Sequence, residues 1–335
     1  MTQIATALIY QVAILFLMMV PGIILKKRRL APDNFGRGLS GLVLYVAQPA
    51  LVFLAYLQPY DHHILEGIGW VFLFSILAHA IFAVAAFLFF RRVNTEKAKI
   101  LRMVTIFSNA AFMGIPLIGA IMGGTGLLYA TIYNITFNLV LWSLGVYICT
   151  HDRDENGDGV QSEEEKRLIR RRTMQSFGFA FVHPVTLAAF LGLIFFFVPI
   201  ENTVPALLTD ALDMLKATVA PLSMIVIGLR LASSTDFKSL FRQKQTYLFL
   251  ALRHLVLPFI LLLLLRAGHA LFPSIDETVM QVVLILAAAP AASSSTMFAE
   301  RYECDAEYAG KLVTVSTALS ILTMPLLLLL LGIGL

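Results

Sequence analysis

Apolar residues run along this chain in blocks of about 20, separated by short polar stretches, and that block length is what a helix needs to cross ~30 Å of hydrocarbon. The pattern predicts ten membrane spans, at about residues 4–25, 38–57, 66–90, 103–122, 126–149, 177–199, 206–232, 246–266, 278–299 and 312–334. The first block lacks a preceding basic segment and is too long for the apolar core of a secretion signal. It stops at Lys26-Lys27-Arg28-Arg29, so it is predicted to remain as a helix ending on the cytoplasmic side.

Composition agrees. Of 335 residues, 59% are hydrophobic and 14% charged, against roughly 25% charged in a soluble domain. With a mean hydropathy of +0.82, this excludes a soluble enzyme, a collagen, a disordered tail and a disulfide scaffold. Cys149 and Cys304 stand in no metal-ligand spacing, and both are predicted to be free thiols at helix ends. Of the 25 Lys and Arg, 21 fall in connections after odd-numbered spans, Arg266 alone after an even one, and Lys216, Arg230 and Arg253 within spans. Basic connections face the cytoplasm, so both termini are predicted on the extracytoplasmic side. The net charge of +4 expresses this loop bias, and nothing in the pattern suggests nucleic acid as a partner.

The two halves share spaced markers. Pro49 and Pro221 are offset by 172, His79 and His254 by 175, as are Arg91 and Arg266, and Pro116 and Pro290 by 174. Five spans per half is an odd number, so the second half enters the membrane with opposite polarity. The chain therefore divides into a first five-helix repeat (1–149), a cytoplasmic linker (150–176) and a second, inverted repeat (177–335).

The fourth span carries Asn109 and then Gly114-Ile115-Pro116. The ninth carries Ala289-Pro290 followed by Ser293, Ser294, Ser295 and Thr296. Proline removes an amide donor and clashes with the preceding turn, so both helices are expected to break, at Gly114–Pro116 and at Pro290. Paired interruptions in an inverted repeat mark a substrate site near the midplane, because irregular backbone in hydrocarbon must line a cavity or be buried in protein. With proline at the first position of each restarted half, free amides and positive dipole ends would gather there, which suits an anion such as a carboxylate. Asn134 and Asn138, spaced i,i+4, share a face of the fifth span beside this point. They would either touch substrate or bond helix to helix.

Ser and Thr of the tenth span are expected to bond back to their own helix. His79 and His254 are packing residues or proton relays. Arg253 is expected to snorkel to the cytoplasm, and Lys216 to pair locally with Asp210 or Asp213.

Three motifs, Ser108 to Leu117, Ala289-Pro290 leading to Phe298-Ala299-Glu300-Arg301-Tyr302, and Ser316 to Leu326, resemble the auxin efflux carrier family of membrane permeases, which includes plant auxin exporters and bacterial malonate and malate permeases. The resemblance implies an all-α membrane protein of ten transmembrane helices in two inverted five-helix repeats, with the fold of bile-acid sodium symporters and broken, crossing helices 4 and 9. It implies elevator-type alternating access with helices 1, 2, 6 and 7 static, and a homodimer; no cofactor is expected to be required, and a bacterial inner-membrane location is expected. Carried over by motif, Asn109, Pro116 and Pro290 would flank the substrate carboxylate, and Ser293 to Ser295 join them by adjacency. The broken segments hold no Asp or Glu before Glu300, a departure from the sodium-coupled relatives that puts sodium coupling in doubt.

The linker contains an EF-hand-like run with Asp154, Asn156, Asp158, Ser162 and Glu165 at ligand positions one, three, five, nine and twelve and Gly159 at six. Gln161 departs at position eight, no partner hand exists, and a second register from Asp152 to Glu163 also fits. A calcium loop and a solvated acidic turn before the basic segment Lys166–Arg172 both stand as readings. The function expected is a secondary transporter of a small organic anion. The alternatives are a sodium- or proton-coupled symporter of a larger amphipathic or sterol-like anion, and a non-transporting membrane sensor. No HExxH or other catalytic set supports an enzyme.

Overall fold

The computed structural model describes residues 10, 13–32, 34–150, 167, 171, 178, 181–198, 204–233 and 238–330. The EF-hand-like residues Asp154, Asn156, Asp158, Ser162 and Glu165 lie outside that set. Among the described residues the chain is helical, with one isolated antiparallel bridge and no strand. The elements are α1 (Met19–Lys27), α2 (Phe35–Tyr56), α3 (His62–Phe89), α4 (Thr95–Ile106), α5 (Ala110–Thr150), α6 (Pro184–Phe197), α7 (Ala206–Ser233), α8 (Lys244–Leu271), α9 (Glu277–Ala288), α10 (Ser293–Arg301) and α11 (Ala306–Leu330). Six of them, α2, α3, α5, α7, α8 and α11, are long and apolar enough to cross a membrane. Large apolar side chains such as Val84, Leu263 and Leu322 lie on the outside, as an integral membrane protein requires.

Local sequence explains the starts and turns. Asp61, Asn94 and Asp276 cap α3, α4 and α9 by accepting from the amides of His63, Glu96 and Thr278. Within α5, Gly123 takes φ 67° and ψ −147°, a conformation reserved for glycine, and folds residues 110–122 and 124–150 into two limbs without a loop.

The interruption in the fourth predicted span lies at Phe107–Asn109, between α4 and α5, and not at Gly114–Pro116. Proline still disturbs the helix, but by widening it. Residues Val43–Ala47, Ala110–Gly114 and Leu252–Val256 form π turns, and Pro49, Pro116 and Pro258 each follow two residues later. The carbonyl that each proline cannot bond, four residues back at Tyr45, Phe112 or His254, falls inside the wide turn, which absorbs the clash without a break. In the ninth predicted span the interruption does include Pro290, and the helix resumes at Ser293. Neither restart begins on a proline.

Helix α9 is buried on nearly every side, with Val279, Met280 and all of 282–288 inside, packed among α3, α5, α8 and α11. A second group packs at close range. A Cβ on Gly22 would stand 2.2 Å from the Ile225 carbonyl oxygen and one on Gly228 2.0 Å from the Met19 oxygen, so α1 and α7 touch backbone to backbone. A Cβ on Gly192 of α6 would stand 2.7 Å from the Tyr56 ring of α2. Lys216 pairs with Asp213 at 2.9 Å, as its spacing predicts.

Gly228→Ala is expected to destabilise the protein by about 1–3 kcal/mol, because the facing carbonyl is main chain and cannot yield. Gly69→Ala on α3, whose added methyl meets open space, is expected to be neutral. Thermal unfolding of the two variants side by side in detergent checks this; equal midpoints would mean that the α1–α7 contact carries no weight.

Candidate functional site

The two interruptions meet. The amide of Asn109 donates to the Pro290 carbonyl at 2.7 Å and the amide of Ala292 donates to the Phe107 carbonyl at 2.9 Å, an antiparallel pair that satisfies four backbone groups at once. The Ala291 amide donates to Ser316 Oγ at 2.9 Å, and that same hydroxyl lies 2.8 Å from His254 Nε2, whose Nδ1 is 3.0 Å from Thr323 Oγ1. Asn109 also opens α5, its carbonyl accepting from the Met113 and Gly114 amides.

Beside this junction lies a cavity of about 170 Å³. Its polar lining is Gln48 from α2, Ser108 and Asn109 from the first interruption, Asn134 and Asn138 from α5, and Ser294 from α10. Arg301 at the end of α10 and His183 at the start of α6 complete it, with Phe112, Phe137, Trp142 and Phe298 as an aromatic wall. Among the described residues no Asp or Glu lines it. Gln48 and Asn109 are 1% and 3% exposed, yet Gln48 Oε1, Asn109 Nδ2, Asn134 Oδ1 and Ser294 Oγ have no partner among the described residues. Buried polar groups left in this way collect where a ligand or water completes their bonding. Gln48 is held by its other end, Nε2 donating to the Ala111 carbonyl at 2.7 Å. The Arg301 guanidinium lies over the Trp142 ring, 5.4 Å from its centroid, which positions the cation at the rim.

Of the residues expected from sequence, Asn109, Asn134, Asn138 and Ser294 come together around the cavity. Gly114, Pro116, Pro290, Ser293 and Ser295 do not line it. Gly114 is pressed against Leu286 of α9, Pro116 is buried in the helix beyond the π turn, and Pro290 acts through its carbonyl in the junction. Ser293 offers its carbonyl to Arg230 at 3.1 Å. Both histidines sit away from the cavity lining: His79 Nδ1 donates to the Ser75 carbonyl among Phe107, Tyr133 and Phe137, and His254 bonds α11 through both nitrogens.

Thr314, Thr317 and Ser320 bond back to their own helix as expected, while Ser316 reaches across to the junction. Arg253 does not snorkel. It is fully buried and bonds to main-chain carbonyls, because orphaned helix-end carbonyls inside the protein are closer and better acceptors than the distant interface. Sequence reasoning passed over Gln48, Ser108, Arg301, His183 and Trp142; a glutamine isolated in an apolar run was the available signal for the first.

A family model described as membrane transport protein matches residues 7–328. An uncharacterized transporter of Methanothermobacter thermautotrophicus is 24% identical over 308 residues, covering 91% of this chain and 92% of that protein.

Ser316→Ala is expected to cost about 1–3 kcal/mol by orphaning the buried Ala291 amide. Thr317→Val, which removes only a bond within its own helix, is expected to stay within about 0.5 kcal/mol of wild type. Chemical or thermal denaturation of both variants checks the difference.

Proposed function

Because the chain belongs to the auxin efflux carrier family of membrane transport proteins, we propose that it is a secondary transporter of a small organic anion, whose carboxylate binds in the cavity beside the junction. The observation that carries this reading is a lining without carboxylates among the described residues: amide and hydroxyl side chains converge from α2, α5 and α10, with the donors Asn109 Nδ2 and Ser294 Oγ left without a described partner, next to the start of α10 and the Arg301 guanidinium. A carboxylate there would accept from Asn109 Nδ2 and the Ser294 hydroxyl, with its organic part against Phe112, Phe137, Trp142 and Phe298. The volume favours a small solute over a sterol-like one, since cavities for drug-sized ligands measure roughly 300–1,000 Å³.

In this reading α4 and the 110–122 limb form one interrupted span, and α9 and α10 form its counterpart in an inverted second half. The close contacts support such symmetry. Gly22 meets Gly228 where the first span packs on the seventh, and Gly192 meets Tyr56 where the sixth packs on the second. Tyr56 and Gly228 stand 172 apart, the same offset as Pro49 and Pro221. The cavity lies between α2 and α6 on one side and α5 and α10 on the other. That placement fits an elevator in which the group α1, α2, α6 and α7 stays fixed while the junction and its helices carry the solute past it. Gln48 to the Ala111 carbonyl and Arg230 to the Ser293 carbonyl, single side-chain bonds that can exchange, join the two groups. A homodimer, an inner-membrane location and extracytoplasmic termini belong to the same proposal, as does calcium binding by the linker.

Tracer uptake into proteoliposomes, for a panel of mono- and dicarboxylates and their amides, tests it. Saturable uptake of a carboxylate is expected, uncompeted by its amide and reduced about tenfold or more by Asn109→Ala. Arg301→Gln is expected to raise KM, while Lys216→Gln, at a remote ion pair, leaves uptake unchanged. Movement of a neutral or cationic solute with no carboxylate transported would overturn the anion reading.

A further inference from the structure

The interruptions create two kinds of helix end. The starts of α5 and α10 border the cavity, whereas the C-terminal ends of α4 and α9 lie together elsewhere, and a cation meets them there. Arg253, in the π turn of α8, is 0% exposed. Its Nη1 donates to the Thr105 carbonyl at 3.0 Å, and its Nη2 donates to the Ala287 and Ala289 carbonyls at 2.8 and 2.6 Å. The Phe82 ring covers the guanidinium, 5.2 Å away. Among the described residues no carboxylate pairs with it.

A buried, fully charged side chain without an acidic partner is costly unless something else balances it. Here the helix ends do. Each helix C-terminus carries about half a negative charge on its unbonded carbonyls, so two converging ends amount to about one negative charge, which a single guanidinium offsets. A planar fork with several donors also matches carbonyls that belong to two separate helices, which a point charge matches less well.

We propose that Arg253 is the resident counter-ion of the two interrupted helices. The carbonyls of Thr105, Ala287 and Ala289 form a cation site that the protein fills with its own side chain, so no free sodium ion occupies it at any stage of transport. The chain thereby carries permanently a charge that would otherwise have to be recruited from solution. Removing the side chain would leave three inward-facing carbonyls with an appetite for a small soluble cation. Guanidinium ions, which match the lost geometry, would be preferred.

Thermal unfolding of the detergent-solubilised protein tests this without a transport substrate, so its failure and failure of the organic-anion reading are separate events. Wild type is expected to melt at the same temperature in sodium, potassium and choline chloride at equal ionic strength. Arg253→Ala is expected to melt about 5 °C or more lower, and methylguanidinium, at concentrations that leave wild type unchanged, is expected to restore part of that loss saturably. Arg253→Lys, which keeps the charge, is expected to melt above Arg253→Gln, which keeps only hydrogen-bond donors. Stabilisation of wild type by sodium over choline would overturn the proposal. So would a glutamine variant as stable as the lysine variant, or no selective response of Arg253→Ala to methylguanidinium. If Arg253→Ala does not accumulate, the lysine-to-glutamine order and the wild-type ion series still decide.

Discussion

In a hydrocarbon medium no water is available to an unpaired amide or carbonyl, and each one left bare costs several kcal/mol. Two helices interrupted deep in this protein expose such groups at four ends, and the placement of the surrounding helices can be read as the answer to that cost. Phe107, Asn109, Pro290 and Ala292 satisfy one another across the junction. Ser316 of α11 takes the Ala291 amide, Arg253 of α8 takes three carbonyls, Arg230 of α7 takes the Ser293 carbonyl, and Gln48 of α2 takes that of Ala111. Four other helices are thereby tied to the junction by polar bonds, and apolar packing around the buried α9 fills the space between.

The same geometry separates charge. Helix starts are positive and helix ends negative, and the interruptions send them to different places. The ends of α4 and α9 share a built-in cation, while the starts of α5 and α10 adjoin a cavity lined by amides, hydroxyls and Arg301, with no carboxylate among the described residues. A buried guanidinium among helix-end carbonyls and a cavity beside two helix starts thus arise from one structural device.

Four of the intramembrane prolines illustrate two roles that position in the chain does not distinguish. At Pro49, Pro116 and Pro258 the helix continues, because a π turn accommodates the missing donor. At Pro290 it stops, and the carbonyl becomes a partner for the facing interruption. What separates the cases is whether a second irregular segment lies within bonding distance to receive the freed backbone. Asn109 has no proline at its own break and is nevertheless non-helical, because Pro290 and Ala292 bond to its segment.

The sequence alone determined the membrane character, the all-helical class, the family through its motifs, and the shared face of Asn134 and Asn138. These follow from block length, charge bias and i,i+4 spacing, which are local properties of the chain. Only the tertiary structure decided where the fourth predicted span breaks, that Gln48 and Arg301 join the cavity while Gly114 and Pro116 do not, and that Arg253 stays inside. Each of those depends on which backbone groups, distant in sequence, come close enough to share hydrogen bonds. Thr105 and Ala289, 184 residues apart in the chain, become co-ligands of one guanidinium only once α4 and α9 end side by side.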